Sequence, residues 1–105
     1  MVSKKQINMI ANQVAKKIRT SRIFIFGSYA DGKQGYDSDL DLCVITDLGN
    51  RRKIELIREI RREIMKDYPI SIDILVYDNK EFAERSIHQN TLEHKILNQG
   101  ILVYG

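Results

Sequence analysis

The chain reads as an α/β (α+β) protein, a mixed sheet of three to four strands flanked by helices. Short apolar runs rich in branched residues, at 23–26, 40–45 and 70–76, have the length and composition of strands. Segments at 4–19, 50–66 and 78–98 instead carry their apolar residues at helical spacing. The two kinds of segment alternate, which is the pattern that layers helices on a sheet.

Ser3 followed by Gln6 has the form of a capping box, and Ile7, Ile10, Ala11, Val14 and Ile18 then recur at helical spacing, predicting a helix over 4–19. Ile23 to Phe26 is a buried strand ended by Gly27, and a turn with room for a short helix follows. In the strand Leu40 to Ile45, alternation puts Leu40, Leu42 and Val44 on one face and Asp39, Asp41, Cys43 and Ile45 on the other. Asn50 caps a helix through Lys66 whose stripe is Leu56, Ile57, Ile60 and Ile64, and Pro69 forbids its continuation. In the strand Ile70 to Val76, Ile70, Ile72, Ile74 and Val76 face one way, and Ser71, Asp73 and Leu75 the other. Asp78 with Glu81 opens one helix or two consecutive ones up to Asn98, Gly100 stops it, and Ile101 to Tyr104 adds a terminal strand.

With 105 residues, 43% hydrophobic and 30% charged, and with no repeat or linker composition, residues 1–105 are expected to form one domain. No apolar run approaches the roughly 20 residues of a membrane span, and residues 1–19 are amphipathic and polar rather than a signal peptide, so the expected location is the cytoplasm. Cys43 is the sole cysteine, which excludes an internal disulfide and a cysteine-based zinc site and leaves it as a small core side chain. The net charge of +3 is no strong basic footprint, which argues against nucleic acid as a partner. Arg51, Arg52, Lys53, Arg58, Arg61, Arg62 and Lys66 are interleaved with Glu55, Glu59 and Glu63, as on a solvated helix face with pairs at i to i+3 and i+4.

Chemistry concentrates in Gly27-Ser28-Tyr29-Ala30-Asp31-Gly32 and Ser38-Asp39-Leu40-Asp41-Leu42. Side chains two apart on a strand share a face about 7 Å apart, so Asp39 and Asp41 can share one or two divalent ions. Asp73 is the lone charge of its strand, and an uncompensated carboxylate among apolar neighbours costs several kcal/mol. Three such aspartates point to a hard cation, best Mg²⁺, which keeps waters and takes phosphate oxygens, so the metal would arrive with a nucleotide. The Gly27-Ser28 turn alone is weak evidence. It is neither a Walker loop nor a dinucleotide fingerprint, and its value lies in the fixed distance to Asp39 and Asp41.

Taken whole, the segment resembles the signature of the DNA polymerase beta-like nucleotidyltransferase superfamily: Gly-Ser-x-Ala-Arg-Gly, five residues, then Ser-Asp-x-Asp-Leu. The match holds at Gly27, Ser28, Ala30, Gly32, Ser38, Asp39, Asp41 and Leu42, and Asp73 matches the third family carboxylate. With the ending Gly100-Ile101-Leu102-Val103-Tyr104, nearly the whole chain is covered, and it looks most like the minimal nucleotidyltransferases (MNT), antitoxin partners of HEPT-domain toxins.

That resemblance implies a nucleotidyltransferase fold, with Asp39 and Asp41 holding two Mg²⁺ ions and Asp73 completing one metal site and helping to deprotonate the attacking hydroxyl. Gly27, Ser28 and Ser38 would bind the nucleotide, with the turn's N–H groups on the β- and γ-phosphates. The implied reaction transfers AMP from ATP to an acceptor with release of pyrophosphate. Larger members carry added domains for their acceptors, so in a chain of this length the acceptor surface is expected from a HEPT-type toxin or a second copy in a homo- or hetero-oligomer. One position departs from the signature: Asp31 stands where arginine is usual, and a carboxylate there repels a triphosphate. Lys33 is adjacent.

Two other readings stand beside protein adenylylation. One is a catalytically weakened binding module that neutralises its partner by covering it, which Asp31 favours; the other is a transferase acting on a small molecule. Tyr29 and Tyr36 flank the turn and are weak candidates for stacking on a nucleobase, although loop tyrosines more often pack over a core edge. His88 and His94, six apart, fall on different helical faces and read as structural. Tyr104 reads as an anchor of the last strand.

Overall fold

A computed structural model describes residues 2–35 and 38–105. The elements run α1 (Lys4–Lys17), β1 (Thr20–Phe26), β2 (Leu40–Thr46), α2 (Lys53–Met65), β3 (Ile72–Asp78), α3 (Asn79–Ser86), α4 (Leu92–Gln99) and β4 (Ile101–Tyr104). The strands form one sheet in the order β3-β2-β1-β4. β1 pairs antiparallel with β2 and with β4, while β2 and β3 run parallel, as a crossover through α2 requires. The architecture is α+β with a mixed four-stranded sheet, as expected.

Alternation along the strands divides the core in two. Ile23, Ile25, Leu40, Leu42, Val44, Ile72, Ile74 and Val76 pack under α1 and α2 against Ile10, Val14, Ile60 and Ile64. Phe24, Cys43, Ile45 and Tyr77 point to the other side and meet Phe82 of α3 and Ile96 of α4. Cys43 is fully buried, the core position foreseen for it. Among the described residues, no helix is long and apolar enough to cross a membrane.

The capping box at Ser3 is present in full: Ser3 Oγ accepts from the Gln6 N–H, and the Gln6 side chain accepts from the Ser3 N–H. Of two further expected caps, one differs and one holds. Asn50 lies in a turn, and α2 starts after Arg52 with no side-chain cap. Its first turn carries ion pairs, from Arg52 just ahead of the helix to Glu55 and from Lys53 to Glu81 of α3. Asp78 does cap α3, accepting from the Lys80 N–H, but its other oxygen accepts from the Leu48 N–H and ties in the loop after β2.

The segment 78–98 is two helices. The chain breaks at 87–91, and Thr91 restarts it by accepting from the His94 N–H. β3 begins two residues later than its apolar run, at Ile72 rather than Ile70. Gly100 ends α4 for a reason other than a left-handed cap. Its φ of −71° is ordinary, but a Cβ there would collide with the Ile96 carbonyl oxygen and stand 3.1 Å from that of Ile25. Glycine is what lets the chain pass from α4 into β4 against β1.

Candidate active site

The parallel register of β2 and β3 sets Asp41 directly beside Asp73. Both side chains leave the sheet on the face that carries Cys43, Ile45 and Tyr77, at the starts of their strands. Asp41 is half-buried, whereas Asp73 and Asp39, the latter just ahead of β2, are exposed. Burial, and then the negative charges of Asp73 and Asp39, push the Asp41 carboxyl above the ordinary aspartate range. None of the ion pairs formed among the described residues involves these three aspartates.

β1 delivers the turn to the same place. Phe26 is the partner of Asp41 across the antiparallel ladder, so Gly27 follows immediately above the carboxylate. Gly27 has φ +72°, and a Cβ on it would overlap Asp41 Oδ2 and lie 3.2 Å from Cγ. Residues 27–32 then make one helical turn, in which the Asp31 N–H donates to the Gly27 carbonyl (3.0 Å) and the Lys33 N–H to that of Ser28 (2.9 Å). No backbone acceptor among the described residues takes the N–H groups of Ser28, Tyr29 or Ala30, which leaves them as donors for an anion. Ser38 Oγ accepts from the Gly35 N–H (2.8 Å) and closes the loop that leads into Asp39.

Among the described residues the carboxylates have no basic partner, which fits a hard divalent cation. Among the described residues, no three His, Cys, Asp or Glu side chains form a ready-made cage. The donor set therefore fits an ion that fills its remaining positions with water and substrate oxygens, the habit of Mg²⁺.

A family model described as a nucleotidyltransferase domain matches residues 7–98. The chain belongs to the nucleotidyltransferase family. A relative of this nucleotidyltransferase from Methanocaldococcus jannaschii, named "Putative protein adenylyltransferase MJ0604", is 26% identical over 98 residues, 89% of this chain and 94% of the relative. Two solved toxin-antitoxin structures share the fold. One is a mutant of the MntA-HpeT complex (TM-score 0.65, 17% identity, 93% of this chain and 71% of that one), and the other holds AMP-PNP (TM-score 0.62, 20% identity, 93% and 73%).

Of the two weak tyrosine candidates, one is found elsewhere. Tyr29 turns away from the site into the α1 side of the core, 8% exposed, and its hydroxyl accepts from the Val2 N–H. Tyr36 lies outside the described residues. His88 is exposed in the α3–α4 connection, and the half-buried His94 places Nδ1 2.8 Å from the Ser86 carbonyl oxygen.

Sequence reasoning missed α4 as a neighbour of the glycine-serine turn in this nucleotidyltransferase. A cavity of about 240 Å³ lies between the turn, at Gly27, Ala30 and Asp31, and α4, at Leu92, Lys95, Ile96 and Gln99. The spacing i, i+3, i+4, i+7 was the available signal, since those four residues share one helix face.

Proposed function

We propose that residues 1–105 work as a minimal Mg²⁺-dependent nucleotidyltransferase that moves AMP from ATP to a protein hydroxyl. The acceptor in this reading is a HEPT-type toxin, and the modification makes the chain its antitoxin in the cytoplasm. The observation that carries the reading is the uncompensated pair Asp41 and Asp73, with Gly27 holding the phosphate-facing turn against Asp41. The names of the relatives, an adenylyltransferase and toxin-antitoxin complexes, support the choice of acceptor.

The N–H groups of the 27–32 turn and the Ser28 hydroxyl bind the phosphates, and their fixed positions orient the α-phosphorus for in-line attack. Asp39, Asp41 and Asp73 would hold the metal, which when bound neutralises charge on the triphosphate and on the leaving group. In this reading Asp73, exposed at the start of β3, accepts the acceptor's hydroxyl proton. The hydroxyl oxygen bonds to the α-phosphorus, the bond to the β-phosphate oxygen breaks, and pyrophosphate leaves with that electron pair.

Incubation of the purified chain with labelled ATP, Mg²⁺ and the candidate toxin tests this. Label on the toxin that disappears in Asp39→Asn supports transfer. Neutralisation that survives Asp39→Asn without label sinks it in favour of a binding module, the reading to which Asp31 at the cavity wall lends weight.

A further inference from the structure

Resting on that nucleotidyl-transfer reading, we propose that Lys95 of α4 binds the polyphosphate of the nucleotide, and that Asp31 across the same cavity limits how tightly it is held. Gly27 ties the cavity to the candidate carboxylates, since it both lines the cavity and abuts Asp41. One wall is the turn with its donor N–H groups, and the opposite wall is α4. Asp31 is the acidic residue among those lining the cavity, and its charge repels a polyphosphate. Lys95 is the single basic residue among those lining it.

Lys95 is also uncommitted. It takes part in none of the ion pairs formed among the described residues, and its side chain is exposed. Its backbone, by contrast, is fixed. The neighbours Glu93 and Ile96 are buried, and Glu93 Oε2 accepts a 2.6 Å hydrogen bond from the Tyr77 hydroxyl of β3. A helix pinned on both sides of residue 95 offers the cavity one flexible four-carbon arm with three donors, suited to phosphate oxygens as a point charge. Asp31 faces the same space with the opposite sign, so the two residues act on one ligand in opposite directions.

Calorimetric titration of the full chain with ATP and Mg²⁺ tests the assignment, with melting curves to confirm that the exposed substitutions leave the fold intact. Lys95→Ala should weaken ATP binding about tenfold, the scale of one charge-assisted contact near the surface. Lys95→Arg should restore most of it, and Asp31→Asn should tighten binding severalfold. ATP affinity should also fall less steeply with added salt in Lys95→Ala than in the wild type, because one charge contact has gone. Wild-type affinity in Lys95→Ala, or an equal loss in Lys95→Arg and Lys95→Ala, overturns the assignment and leaves the transferase reading standing. A wild-type chain that binds no ATP overturns both.

Discussion

Gly27 and Asp41 occupy space that a single added carbon would make incompatible: a Cβ at residue 27 would overlap Asp41 Oδ2. The backbone at Gly27 is also left-handed, at φ +72°. One residue thus meets two demands, a turn that reverses away from β1 and a backbone that passes beside a carboxylate without displacing it.

Gly27→Ala should therefore damage both stability and site. The left-handed φ alone costs a residue with a Cβ about 1–2 kcal/mol, and the overlap must be relieved by moving Asp41 or the turn. Denaturant melts should show that loss, with nucleotide binding reduced beyond it. A Gly32→Ala control shares the positive φ, but its Cβ would meet nothing within 4 Å, so it should lose stability alone.

Removing the charge at Asp41 should uncouple stability from activity. Its carboxyl is raised above the ordinary aspartate range in the folded chain, so the folded state binds the proton more tightly than the unfolded state does. Stability from this group is therefore greatest below the unfolded value of 3.8 and falls as pH rises through the window up to the raised folded value. Asp41→Asn should flatten that part of the pH–stability curve, hold or raise the melting temperature at pH 7, and abolish transfer. Mg²⁺ should raise the melting temperature of the wild type more than that of Asp41→Asn.

Tyr77 and Glu93 fasten α4, and with it one wall of the cavity, to the sheet through a hydrogen bond among buried side chains. Tyr77→Phe leaves the Glu93 carboxylate buried without that donor and should cost about 1–3 kcal/mol in denaturant melts. Adding Glu93→Leu should recover much of it, since removing both partners leaves no orphaned group.

Alkaline pH should destabilise the fold through Cys43. Burial, with the Glu93 charge adding to it, holds the thiol up at about 12 against an ordinary 9.0. The unfolded chain ionises first as pH rises past 9.0, so stability falls between there and about 12. Cys43→Ala should lessen that fall, and native Cys43 should resist alkylation until the chain is unfolded, as mass spectrometry can read. Tyr77, raised by burial and by Glu93, acts in the same direction.

Local pattern carried most of the secondary structure and the site's core. The two-residue alternation of β2 and β3 sorted Asp39, Asp41 and Asp73 from the apolar residues, and the glycine-serine turn with its fixed spacing marked the candidate phosphate site. Those are short-range properties, set by side-chain direction and by which residues a turn tolerates. Boundaries slipped where tertiary contacts override local signals. Asn50 yields the start of α2 to ion pairs from Arg52 and Lys53, and Tyr29 is drawn into the α1 core.

By itself the sequence determined which side chains are chemical and on which strand faces they stand, because alternation and the turn's glycine are encoded within a few residues. Only the tertiary structure decided that β3 lies parallel beside β2 in a register setting Asp73 against Asp41, that Gly27 closes on Asp41, and that α4 brings Lys95 to the far side of the cavity. Those relations depend on which segments pair and pack across the chain, and packing of distant surfaces leaves no periodic trace in any one of them.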